Sequence, residues 1–221
     1  VAMQGLGALE FLLFGTGAEQ LTSAEGDFRC RYARAITTLQ AATAATLSAE
    51  WNDPQGISKR LLEPSASDPD YRSFREVAEA LAGLLAHGTE AIRDQRLLPF
   101  LGRDGAAPKP KSALFWRSDM TVPSINANFE GLKALLEKSR IAEAAPPDQL
   151  WVANSASFEF GNAERAGKVV TAPLEQALDD PRQKKALDYL VIVTQSLDTI
   201  LGENLAAALG LSVGFSSLDG D

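Results

Sequence analysis

Apolar residues recur at helical spacing along most of this chain, whereas alternating runs of β-branched residues are nearly absent. Alanine and leucine, which favour helices, are abundant. The pattern predicts about six helices joined mostly by short connections, and therefore an all-α, up-and-down helical bundle. The predicted helices cover residues 2–14, 27–51, 69–101, 124–139, 148–170 and 181–209.

Two of these helices have well-marked beginnings, because an aspartate that can act as N-cap precedes a proline at the first helical position. These pairs are Asp68-Pro69 and Asp180-Pro181. Gly15 and Gly210 are the predicted ends of the first and last helices. A stretch rich in glycine and proline, residues 102–113, predicts an irregular loop. We therefore expect one domain over residues 1–221 with sub-bundles 1–105 and 114–221 joined by this loop.

The net charge of the chain limits its partners. It is -8 at pH 7, with a sequence pI of about 4.8. Nucleic-acid binding needs clustered lysine and arginine, so we expect no nucleic-acid partner. An acidic surface is compatible with a cationic ligand or a metal ion. No apolar run reaches the length of a transmembrane helix.

The scarcity of histidine limits the metal sites and catalytic groups that this chain can form. The only histidine is His87, so a histidine-rich transition-metal site cannot form from this chain, and a Ser-His-Asp triad has no supporting motif. A carboxylate site for a hard cation remains open. We therefore expect no catalysis by this chain.

Polar residues in apolar or aromatic surroundings mark the candidate site. Glu10 is the single acid in GLGALEFLLFG, residues 5–15. The stretch 115–132 contains Trp116, Arg117, Ser118 and Asn128, and Arg117 can clamp an anion or pair with a buried acid. The alternative is that this stretch only caps the fourth helix.

The acidic end of the chain is a further candidate. Asp219 and Asp221 flank Gly220, in an arrangement like a piece of a calcium loop, although the EF-hand ligand pattern is missing. The alternative is a solvated acidic C-terminus.

Several of these stretches together resemble the imelysin-like family, which is grouped with peptidase family M75. GLGALEFLLFG resembles the family signature G-x-H-x-x-E followed by LLFG or LLWG. Four further stretches look like family segments in the same order: FRCRYARAI (28–36), LLPFLG (97–102), FWRSDMTVPSINANFEGL (115–132) and GLSVGFSSLDGD (210–221).

The resemblance implies an all-α protein with two bundle halves and a ligand site where they meet. It also implies export to the periplasm through a signal, often with a lipid anchor, and a link to iron uptake. Family members carry an additional helical region ahead of the motif, which we expect to be missing here or present as a separate chain. Membrane contact would then be made only through a lipid anchor outside this sequence.

This chain departs from the signature at one position, because Gly7 stands where the family has histidine. Positions i and i+3 share a helix face, so histidine and Glu10 would meet one ion there. We expect Glu10 to serve with Asp219 and Asp221 as metal ligands, for iron or another divalent cation, or to form a buried ion pair with Arg117.

The leading hypothesis from the sequence is a periplasmic imelysin-like protein that binds a metal ion or small ligand. Its cleft would be lined by Glu10, Trp116, Arg117, Ser118 and Asn128. Two alternatives stay open. One is a metal-dependent peptidase, and the other is a non-catalytic scaffold whose polar groups only fix helix packing.

Overall fold

A computed structural model describes residues 3–103 and 105–211. These residues form helices and turns without a strand, which confirms the all-α prediction. The α-helices are α1 (Leu6–Phe14), α2 (Asp27–Asn52), α3 (Ile57–Leu62), α4 (Phe74–Ala91), α5 (Leu98–Leu101), α6 (Thr121–Ser139), α7 (Trp151–Val169), α8 (Leu174–Asp179), α9 (Pro181–Asp198) and α10 (Leu205–Ala208). Two π-helical turns, Ile92–Leu97 and Thr199–Asn204, interrupt what the sequence predicts as continuous helices.

The chain divides into two compact units. Unit 1 comprises Val1–Ser73 and the short segment Arg117–Met120, and unit 2 comprises Phe74–Trp116 and Thr121–Asp221. This division lies elsewhere than the boundary expected at the loop 102–113. The reason is that α4, which precedes the loop, packs against α6 and α9, which follow it.

Unit 2 is built around a large apolar core. Helices α6, α7 and α9 pack side by side, and α4 packs against α9. Small residues such as Ala156 and Ala163 on α7 are buried and allow close approach of the neighbouring helix. The large side chains that are almost wholly inaccessible to solvent are Leu85, Leu97, Phe100, Ile125, Val152, Leu187, Leu190, Val193, Leu197, Leu201 and Leu205. Their burial supplies the main stabilisation of this unit.

Unit 1 has far less apolar core. The 26-residue helix α2 buries only Ile36, and α1 buries only Glu10 and Leu12. Arg29 of α2 instead binds the end of α1, because its guanidinium donates to the carbonyls of Phe11, Leu12 and Thr16 at 2.7, 2.6 and 2.9 Å. These carbonyls lie at a helix C-terminus, where a cation is favourable.

The two aspartate-proline pairs behave differently. Asp180 caps α9 as predicted, accepting hydrogen bonds from the N–H groups of Arg182 and Gln183. The prediction that Asp68 begins a helix is wrong, because α4 begins at Phe74.

Asp68 instead belongs to the loop before α4. Its carboxylate accepts bonds at 2.7 Å from Arg60 and at 2.9 Å from the N–H groups of Asp70 and Tyr71. The Arg60 guanidinium, assisted by these main-chain bonds, holds the pKa of Asp68 well below its usual range.

The helix ends are otherwise close to prediction. α1 ends at Phe14, directly before Gly15, and Gly210 has a left-handed φ of 62° after α10. The beginning of α1 is later than predicted, since Gly5 has φ 99° and ψ 179° and Leu6 is the first helical residue. Among the described residues, none of the helices combines the length and the apolar character needed to cross a membrane.

Candidate functional site

Glu10 is the one buried acid of the described residues, and it lies on α1 in unit 1. Only 7% of the residue is exposed. The flanking residues of α1 are almost entirely apolar, so the helix brings a single carboxylate into the interior of this unit. A buried carboxylate needs compensating hydrogen bonds.

Those bonds come from the segment 117–120, which belongs to the same unit. The main-chain N–H groups of Arg117 and Ser118 each donate to Glu10 Oε1 at 3.0 Å, and the Ser118 hydroxyl donates to the same oxygen at 2.9 Å. Two successive N–H groups that converge on one oxygen form an anion-binding concavity of the backbone. Glu10 is therefore fixed by this segment and not by a side-chain ion pair with Arg117.

The local backbone explains how the segment presents its donors. It lies at the end of a run of turns, and Asp119 within it has a left-handed φ of 57°. Aspartate tolerates this conformation better than most residues. The turn reverses the chain before α6 begins at Thr121 and leaves the preceding N–H groups outside any helix, where they can bind Glu10.

Two arginines contact the aromatic ring next to Glu10 in the sequence. The guanidinium carbons of Arg29 and Arg117 lie 5.5 and 5.4 Å from the centroid of the Phe11 ring. This is cation–π distance. Both guanidinium groups therefore contact the ring of Phe11 and not the carboxylate of Glu10.

Two other predicted site residues belong to the other unit. Trp116 and Asn128 belong to unit 2. Lys111 Nζ lies 5.6 Å from the Trp116 ring centroid, and Asn128 Oδ1 accepts a hydrogen bond from Arg96. Within unit 1 the structure brings together Glu10, Arg117 and Ser118. The predicted metal ligands Asp219 and Asp221 lie outside the described residues.

Comparison with known families adds an independent observation. A family model described as Imelysin (Peptidase_M75) matches residues 1–201. The chain belongs to the imelysin family. Neither the curated proteins nor the solved structures that were compared with it give a significant match. The family assignment therefore rests on a match that spans most of the chain and includes the motif around Glu10.

The imelysin motif can now be located in the structure. Gly7 and Glu10 lie on α1 three residues apart, so they share one face of the helix. A Cβ atom placed on Gly7 would meet no atom within 4 Å among the described residues around it. The position that holds histidine in the family signature is therefore open to a larger side chain.

The described residues do not fit an enclosed metal centre at Glu10. They contain no group of three or more histidine, cysteine, aspartate or glutamate residues that could hold an ion. His87 lies on α4 in unit 2, where its Nδ1 is 3.2 Å from Glu90 Oε2. Oε1 of Glu10 is occupied by donors, whereas Oε2 accepts no hydrogen bond from the described part of the chain. The two oxygens of this carboxylate therefore differ in their hydrogen bonding.

Two arginines with tertiary hydrogen bonds, Arg29 and Arg96, are not among the residues predicted from the sequence. Arg29 stands within FRCRYARAI. The one hint of its role in the sequence is that it is a cation on the helix that follows Gly15, the glycine at the end of α1. Arg96 lies in the π-helical turn Ile92–Leu97, which no residue pattern predicts. Both donate to neutral oxygens of other segments, so their role depends on tertiary structure.

Proposed function

We propose that this imelysin-family chain is a non-catalytic binding protein that is exported to the periplasm and serves iron uptake, and that its ligand contacts Glu10. The observation that supports this proposal is the state of the Glu10 carboxylate. One oxygen is fixed by three donors, while the other accepts no hydrogen bond from the described residues. A carboxylate held in this way is oriented before a ligand arrives, which lowers the entropic cost of binding.

The proposed cargo is an iron ion or another divalent cation that keeps other ligands of its own. Carboxylate oxygen is a good ligand for hard cations. The described residues contain no group of three or more histidine, cysteine, aspartate or glutamate residues, so most coordination positions belong to water or to a small chelator. Such a site binds weakly and releases its cargo readily, as a carrier in an uptake pathway requires.

Calorimetric titration tests this proposal. Ferrous iron under anaerobic conditions, and Mn²⁺ and Ca²⁺ in parallel, are added to the wild type and to Glu10→Gln. The Gln variant keeps an oxygen that accepts hydrogen bonds from Arg117 and Ser118 but loses the negative charge. We expect a saturable signal in the wild type and none in Glu10→Gln. Equal binding in both proteins, or no binding in either, overturns the proposal.

A gain-of-function variant sharpens the same experiment. Gly7→His places an imidazole three residues before Glu10, at a position where a side chain has room. We expect Gly7→His to bind ferrous iron at least about tenfold more tightly than the wild type, because imidazole is a good ligand for iron. Unchanged affinity in this variant would argue that a metal does not reach this helix face.

A scaffold role is the second candidate, and one observation favours it. The three bonds from Arg117 and Ser118 attach α1 to a segment more than 100 residues later in the chain. If Glu10→Ala lowers the stability strongly while the wild type binds no cation, small ligand or chelate, the carboxylate serves packing alone.

A further inference from the structure

The π-helical turn Ile92–Leu97 in unit 2 contains two arginines, and only one of them is paired with carboxylates. Arg93 bonds to carboxylates, at 2.9 Å from Asp94 and 2.8 Å from Asp198. Burial opposes its charge, but these bonds outweigh burial and raise the pKa of Arg93. Its charge is therefore fully compensated within the unit.

Arg96, three residues later, has no such compensation. It donates to Ser124 Oγ at 2.5 Å and to Asn128 Oδ1 at 3.2 Å, and both acceptors are neutral. Among the described residues no carboxylate lies within ion-pair distance of Arg96. The side chain is partly buried, and burial lowers its pKa. A desolvated guanidinium without an anion is costly, and such groups are typical of sites that bind one.

A strained residue holds the guanidinium in place. Phe115 has a left-handed φ of 64°, which is uncommon for a bulky side chain and costs free energy. Its ring centroid lies 5.8 Å from the guanidinium carbon of Arg96. The neighbouring Ser124 hydroxyl donates to the Thr121 carbonyl at 2.8 Å, so its lone pairs face Arg96. Both contacts orient the arginine without neutralising it.

We propose that Arg96, Ser124 and Asn128 form a binding site for a small ligand that carries a carboxylate. The guanidinium has more N–H donors than its two bonds use, and its planar fork matches a carboxylate. Asn128 is exposed and accepts from Arg96 through Oδ1, which leaves its NH₂ group for the same ligand. One uncompensated positive charge suits a monocarboxylate better than a phosphate dianion, in a chain of net charge -8.

This site goes beyond the proposed function and is independent of it. It uses residues of unit 2 only, whereas Glu10 belongs to unit 1. It also takes an anion instead of a cation. Loss of cation binding at Glu10 and loss of carboxylate binding at Arg96 are therefore separate results.

Titration with sodium acetate, followed by the backbone amide NMR signals of Ser124 and Asn128, tests the proposal. Sodium chloride at equal ionic strength is the reference. We expect saturable shifts with acetate only, and an affinity lower by at least about tenfold in Arg96→Lys, which keeps the charge but loses the fork. Asn128→Asp supplies a tethered carboxylate beside Arg96 and should abolish acetate binding.

Arg103→Gln is the matched control, since Arg103 is an exposed arginine of the same unit that pairs with Asp94 at 3.4 Å. It should bind acetate like the wild type. Absence of a saturable acetate shift in the wild type overturns the proposal, as does equal affinity in Arg96→Lys and the wild type. Tighter binding of inorganic phosphate than of acetate overturns the assignment to carboxylates.

Discussion

Unit 2 is stabilised by apolar side chains that are wholly buried, whereas unit 1 depends largely on polar groups that bind the main chain. In unit 2, Leu187, Leu190 and Leu197 of α9 are fully buried. In unit 1, the long helix α2 buries one residue, and the main tertiary bonds of α1 are those of Arg29 and Glu10. The difference teaches that a buried polar residue can hold one unit together, whereas buried apolar residues do so in the other.

The largest expected effect comes from the core of unit 2. Leu190→Ala should lower the free energy of unfolding by about 2–5 kcal/mol, since it removes a buried side chain and leaves a cavity. Urea denaturation measures this. Leu84→Ala is the matched control, because Leu84 is 59% exposed, and we expect a change within about 0.5 kcal/mol. Similar losses in both variants would contradict the contrast between buried and exposed leucines.

The next effect is the loss of the buried acid of unit 1. Glu10→Ala should cost about 2–4 kcal/mol, because it leaves the N–H groups of Arg117 and Ser118 and the Ser118 hydroxyl without their acceptor. Urea denaturation gives the total, and hydrogen exchange of the α1 amides shows whether unit 1 is the part affected. Glu10→Gln should cost less, since an acceptor remains. Unchanged hydrogen exchange in α1 after Glu10→Ala would contradict the claim that unit 1 depends on this polar group for its stability.

A smaller effect is expected for one of the three donors. Ser118→Ala removes the hydroxyl bond to Glu10 but keeps both main-chain bonds, and it should cost about 1.5 kcal/mol. The same substitution in the Glu10→Ala background should have little effect, because the acceptor is already gone. Additive losses in the double variant would show that the hydroxyl and the carboxylate are not coupled.

The smallest expected effect is the pH dependence of stability that comes from Asp68. The pKa of Asp68 is lowered in the folded protein, mainly by the Arg60 side chain, so its contribution to stability is present above the unfolded pKa of about 3.9 and is lost as the pH falls below it. The melting temperatures of the wild type and Asp68→Asn should therefore differ at pH 6, and the difference should shrink steadily as the pH falls below about 3.9 towards the lowered pKa of the folded state. A constant difference across this range would exclude the ion pair as its cause.

Much of the fold could be predicted because helical periodicity is a local property of the sequence. The two aspartate-proline pairs show where this fails. Asp180 accepts hydrogen bonds from the N–H groups of Arg182 and Gln183 and caps α9, whereas Asp68 is bound by Arg60, which lies eight residues earlier. The competing bond belongs to tertiary structure, so the same two residues begin a helix in one place and a loop in the other.

The sequence singles out three residues that contact one another in the structure, but it does not predict how they do so. Glu10, Arg117 and Ser118 stand out as polar groups in apolar surroundings, and the structure brings them together. The bond from Arg117 is made by its main-chain N–H, which every residue except proline has, so no choice of side chain signals it. Arg96 was missed for a related reason, since one arginine in a helical stretch looks like a surface residue.

The most direct test of a ligand at Glu10 is a crystal structure of the protein soaked anaerobically with ferrous iron, with data collected at the iron absorption edge. The account predicts an anomalous difference peak at coordination distance from Glu10 Oε2, with Oε1 still bound by Arg117 and Ser118. An Oε2 that faces only solvent or another side chain of the protein at saturating iron would contradict it.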